Sequence, residues 1–239
     1  MMNSLKISLA GLCASALYLT LASSPLNLGM TQTALAAPPA YKPPTVGSPS
    51  RRVGGGTRTK GTPPMITLLA PPTTAYTLQT QPVIYWAISE SKYPIDIQLM
   101  EANPDSIEAM QPLLEKQISI DNAGIQKLDL KAMEVTLKPN VEYELFISAI
   151  MDPDNRGQDV ISSAILKSVP KTGKVASCLQ QADKQTVTYE NLATCGIWYD
   201  AIAELSTQIH TQKDNAKLKA ARRALMMQVK LPEVAELDK

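Results

Sequence analysis

From residue 65 to about residue 170, apolar side chains recur at every second position. Ile84, Trp86 and Ile88 alternate with Val83, Tyr85 and Ala87, so both faces of that segment read as partly buried. Ile95, Ile97 and Leu99 alternate with Asp96 and Gln98, the pattern of a strand with one wet face. Ile118 and Ile120 follow Glu115 and Gln117, and Leu128 precedes Leu130. Val141, Tyr143, Leu145, Ile147 and Ala149 form the longest run, and Ile161, Ile165 and Val169 the last. Turn chemistry separates them at Asn103-Pro104-Asp105, Asp121-Asn122-Ala123-Gly124, Lys138-Pro139-Asn140 and Asp152-Pro153-Asp154-Asn155. The count of about seven strands is that of an antiparallel β-sandwich.

After Lys171 the period becomes helical. Trp198, Ile202, Leu205 and Ile209 fall at spacings of four and three, one stripe of a helix from about Ile197 to His210. Leu218, Ala221, Leu225 and Val229 repeat the stripe, with Asp214 as the expected cap and Pro232 as the expected stop. A short link between two such helices predicts an antiparallel hairpin whose stripes bury one another.

The start of the chain reads differently. Lys6 precedes an apolar or small run from Ile7 to Ala22, and Ala34-Leu35-Ala36 offers the small residues that signal peptidase accepts. Residues 1–36 are therefore expected to be a cleaved signal peptide. The apolar run, about sixteen residues, falls short of the roughly 20 of a spanning helix. Leu12 before Cys13 is too large for a lipoprotein cleavage box. Residues 37–64 are rich in Pro and Gly, hold no acid, and carry Lys42, Arg51, Arg52, Arg58 and Lys60. Such a stretch buries too little apolar surface to repay its ordering entropy and reads as a basic linker. The expected division is then a sandwich over 65–170 and a helical region over 171–239.

Removing the leader changes the cysteine arithmetic. Cys13 leaves, and Cys178 and Cys195 remain. In an exported protein two cysteines usually pair, which would stabilise the fold by roughly 3 kcal/mol; the alternative is two buried thiols. Basic and acidic residues nearly balance, 23 against 22, so the chain lacks the basic excess of a nucleic-acid binder.

Leu137-Lys138-Pro139-Asn140-Val141-Glu142-Tyr143 resembles the tyrosine corner of immunoglobulin-like and fibronectin type III modules, and Trp86 sits where such modules keep a core indole. The fold expected is thus α+β, an immunoglobulin-like antiparallel β-sandwich followed by a C-terminal helical hairpin. Three segments in order carry a wider resemblance. They are Arg52-Val53-Gly54-Gly55-Gly56-Thr57-Arg58, the sandwich with Asp152-Pro153-Asp154-Asn155-Arg156, and Gly196-Ile197-Trp198-Tyr199-Asp200-Ala201. The chain resembles an exported, mainly cyanobacterial family called domain of unknown function nine-two-eight. The resemblance implies an envelope protein and, loosely, association with two-partner secretion and helical-repeat signalling proteins. Thr59-Lys60-Gly61 stands where the family has a glycine and a nearby cysteine.

No catalytic constellation emerges. His210 is the single histidine, and Cys195 lies too far from it along a helix, about 22 Å, to form a nucleophile pair. His210 reads instead as a partner of the helix dipole, and one histidine with two bridged cysteines leaves no zinc site. Asp152 to Gly157 opens like a calcium loop but places Arg156 at the fifth position and no Glu at the twelfth, so a hairpin turn is expected. Gly54-Gly55-Gly56 lacks the ending of a P-loop. Lys217, Lys219, Arg222 and Arg223 make the last helix basic on its outer side. Asp96, Glu142 and Glu144 alternate outward without a motif that would frame a glycosidase pair.

These readings predict a non-enzymatic, exported cell-envelope accessory module, without cofactor or metal, that binds another envelope or secreted protein. Its candidate surfaces are the sandwich edge, Arg52 and Arg58, and Arg222 and Arg223. The alternative is a periplasmic hydrolase of glycans or esters, for which a cleft between sandwich and helices lined by paired carboxylates would count. A third use is contact of the last helix with an anionic membrane surface.

Overall fold

Alternation along the chain becomes two sheets built from eight strands: β1 (Ile66–Leu68), β2 (Ala75–Thr77), β3 (Val83–Ile88), β4 (Ile95–Glu101), β5 (Leu114–Ile118), β6 (Gly124–Asp129), β7 (Glu142–Ala149) and β8 (Val160–Ser168). The structure is a computed structural model that describes residues 38–45, 47–50, 62–182 and 187–238. The expected signal peptide lies outside the described residues, as do Arg52 and Arg58.

One sheet has the order β1-β3-β6 and the other β2-β8-β7-β4-β5. In β4, Ile95, Ile97 and Leu99 are buried while Asp96, Gln98 and Met100 are partly exposed, as period two requires. Each such aliphatic, removed from water, contributes about 1.5–3 kcal/mol before chain entropy is counted. Glu101 continues the buried face and is matched by Lys138, whose ammonium lies 2.9 Å from its carboxylate. Tyr143, wholly buried on β7, accepts the Lys138 amide at 3.2 Å, the bond a tyrosine corner makes.

Two features depart from a wholly antiparallel sandwich of about seven strands. β1 and β2 are three residues each; every residue of β1 is buried, and β2 is too short for its alternation to stand out. β2 also pairs with β8 in parallel.

Five helices follow: α1 (Gly173–Ala182), α2 (Tyr189–Thr194), α3 (Trp198–Thr211), α4 (Ala216–Gln228) and α5 (Pro232–Ala235). The cap of α4 is Asn215, not Asp214; its Oδ1 accepts from the amides of Lys217 and Leu218. Pro232 does not stop α4 but opens α5 at its first turn, where a missing amide costs nothing. The stop is Lys230, held at φ 60° while the Leu231 amide reaches back to the Met226 carbonyl.

The division at residue 170 dissolves into one core. A single apolar cluster runs from Ile66 to Ala235, and α3 packs on β2 and β3 as well as on α4. The helical stripes are thus shared with the sheets rather than closed between two helices.

Part of the expected linker is also built in. Pro39 is buried, and the Tyr41 ring meets the Trp198 indole edge-on at 4.6 Å between centroids. Gln228 accepts the Tyr41 amide and donates to the Pro39 carbonyl. Further on, Ser48 Oγ and Thr74 Oγ1 both donate to the Glu142 carboxylate, and Ser50 accepts the Ile165 amide. Residues 38–45 and 47–50 form a strap across the fold because Pro39 and Tyr41 pack on it and Ser48 and Ser50 find hydrogen-bond partners, which composition alone does not reveal.

Candidate functional site

The first turn of α3 is where strap, sheets and helices converge. Gly196 precedes it at φ +79°, a conformation that L side chains rarely adopt, and a Cβ there would stand 2.9 Å from the Lys42 carbonyl oxygen. Cys195 is bonded to Cys178 of α1, with Cα atoms 5.7 Å apart. Three consecutive side chains then leave the helix at roughly 100° intervals. Trp198, fully buried, donates from Nε1 to the Leu69 carbonyl at 2.8 Å, just beyond β1. Tyr199 donates from its hydroxyl to the Ile165 carbonyl of β8 at 3.3 Å. Asp200 accepts the Leu78 amide just beyond β2 at 3.1 Å, with Thr77 and Gln79 as further partners. One helical turn is fastened to both sheets.

A groove of about 740 Å³ opens beside this clamp. Asp200 and Glu204 of α3 face it across from Thr77, Gln79 and Gln81, with Lys171 at its margin. Burial pushes the Asp200 carboxyl above its usual range, although its hydrogen bonds pull the other way. Its oxygens are already engaged by the amide and side chains after β2. Glu204 is exposed and accepts from Gln208 one turn along. The groove therefore holds two carboxylates, but the less exposed one, Asp200, serves as a fastener.

The Asp152–Gly157 stretch is a turn in which Arg156 ties two carboxylates together. Its guanidinium reaches Asp159 and, at 2.7 Å, Asp96 on β4. Asp152 accepts the Asp154 amide within the turn. Among the described residues, no group of three His, Cys, Asp or Glu side chains could hold a metal ion.

The segment Gly196–Ala201, which carries the clamp, is also among the more distinctive sequence marks of the chain. A family described as Domain of Unknown Function (DUF928) matches residues 49–238. The chain belongs to that family. No curated protein matches it significantly. Among solved structures, it is similar to a chain of the complex between zinc 2-glycoprotein and prolactin inducible protein from human seminal plasma. The identity is 14% and the TM-score 0.24, over 47% of this chain and 97% of that chain.

In this DUF928 protein the residues singled out from sequence separate into distinct groups. Cys178, Cys195 and Trp198 meet around the clamp. Trp86 is buried on β3, opposite Leu68 and Gln126, and Tyr143 lies on β7 opposite Leu166 and Glu101. Arg222 corrects the expected basic outer face. It is only 7% exposed and donates to Ser206 Oγ of α3 at 3.0 Å. Helical spacing already held that signal, because Arg222 stands four residues after buried Leu218 and three before Leu225. Arg223 remains half-exposed, 3.9 Å from Glu236. Tyr199 and Asp200, which complete the clamp, lacked any signal in spacing or composition. Among the described residues, no helix is long and apolar enough to cross a membrane.

Proposed function

We propose that this DUF928 protein is an exported, non-enzymatic binding module of the cell envelope, an immunoglobulin-like sandwich braced by helices, which engages an envelope or secreted protein. The family resemblance implies a cyanobacterial setting, and the leader-like residues 1–36 and the Cys178–Cys195 disulfide fit an oxidising compartment. Asp200 carries the reading. It is a partly buried carboxylate of the seam between sandwich and helices, and its oxygens hold the chain after β2. The exposed ends of the molecule offer contact surface instead. The connection between β4 and β5 presents Ile107, 75% exposed, and Met110, 53% exposed, beside the charged edge strand β5.

Glycan or ester hydrolysis is the second reading, favoured by the presence of both Asp200 and Glu204 on one groove. The two readings part in one experiment. A C-terminally tagged copy is cross-linked in native envelopes, and proteins recovered in near-stoichiometric amounts are identified. A reproducible partner is the expected result. A solitary protein, together with turnover of an envelope glycan that Glu204→Gln abolishes, overturns it in favour of the hydrolase.

A further inference from the structure

The far end of α3 faces a different groove, of about 660 Å³, lined by α3, α4 and the β3 and β6 strands of the three-stranded sheet. The register of β3 and β6 sets Tyr85 opposite Lys127 and Ala87 opposite Ile125, which places all four on one face of that sheet. Tyr85, Ile125 and Ile209 supply apolar lining. Around them stand four permanent cations, Lys127, Lys213, Lys219 and Arg222, together with His210. Among the described residues, no carboxylate lines the groove. Asp129, which does not line it, holds the Lys127 ammonium at 3.1 Å. Arg222 is only 7% exposed and donates to Ser206, so it serves the fold as well as the groove.

Lys127 and Arg222 are engaged within the chain, so the positive potential open to a ligand is that of Lys213 and Lys219. The shape and lining restrict which anion fits there. A bare inorganic anion would leave Ile125, Ile209 and the Tyr85 ring uncovered. A bilayer surface meets protruding side chains rather than a recess. A peptide bearing both carboxylates and an apolar side chain satisfies the cations and the apolar lining together.

We infer that this groove binds an acidic segment of the partner protein, with its carboxylates on Lys213 and Lys219 and an apolar side chain against Tyr85, Ile125 and Ile209. The inference rests on the binding-module reading and names the chemistry of the partner.

The test uses the purified protein and a fluorescent short peptide of alternating Glu and Leu, followed by anisotropy. Saturable binding that weakens with salt is expected, with a loss of about tenfold in Lys213→Glu/Lys219→Glu. Lys116→Glu, on the distant edge strand, should bind as the parent does. Equal binding by the double variant overturns the inference. So does equal affinity for inorganic polyphosphate, which has charge without apolar groups, or tighter binding to vesicles of anionic lipid. The cross-linked partner separates the two levels of failure. A partner captured equally by parent and double variant leaves the module reading standing and removes this groove. Peptide binding without any partner does the reverse.

Discussion

The two ends of α3 have opposite characters. At its start, Trp198, Tyr199 and Asp200 each place a polar atom on backbone or neighbouring side chains of the sheets. At its finish, His210 and the following Lys213 line a groove that, among the described residues, has no lining carboxylate. The first arrangement satisfies its own members and leaves little for a ligand. The second places the Lys213 and Lys219 ammonium groups at the groove. A polar group in a groove is therefore read by its partners rather than by its address, since Asp200 also lines a groove and serves the fold.

Damage to the clamp should cost far more stability than damage to the groove. Trp198→Ala removes a fully buried indole, its bond to Leu69 and the ring on which Tyr41 rests. Urea denaturation should show a loss of about 3–5 kcal/mol, as for other aromatic-to-alanine changes in cores. A loss below about 1 kcal/mol would mean that the first turn is not the fastening point.

Asp200→Asn should have a smaller effect that depends on pH. Native Asp200 has its proton affinity raised, chiefly by burial, so it holds a proton more tightly than it does in the unfolded chain. That linkage favours the native state fully below the ordinary carboxylate range and is lost as pH rises through the raised value. Thermal melts from acid to neutral pH should show the parent's advantage over Asp200→Asn shrinking as pH rises. A constant difference would mean that the carboxylate titrates alike in both states.

At the other end, Lys213→Glu/Lys219→Glu should change stability by no more than about 0.5 kcal/mol, since exposed or half-exposed lysines away from the core carry little of it. A larger loss by urea titration would mean that the groove, too, is part of the fold's framework.

Sequence pattern revealed the long strands because each buries alternate residues along at least part of its length, as β4 and β7 do. It missed β1 and β2, which at three residues are too short for a period to stand out, and α2, a six-residue helix capped by Thr188. It read Arg222 outward because charge outweighed spacing, and it placed the α4 cap one residue early because Asp214 and Asn215 are both competent caps. The groove was the least legible feature. Tyr85, Lys127 and Lys219 belong to three separate segments, and only strand register and helix packing bring them together.

The strap has a bearing on how the chain reaches its final state. The Tyr41 amide meets Gln228, 187 positions further along, and the Lys42 amide meets the Ala193 carbonyl. Contacts so distant in the chain close late, because the loop between them must be ordered before they form. During vectorial synthesis the Tyr41 ring has no indole to meet until residue 198 emerges, and Pro39 has no Gln228 until after α4 is made. An incomplete chain thus carries exposed aromatic surface until α3 is made, and α4 then fastens the backbone of the strap.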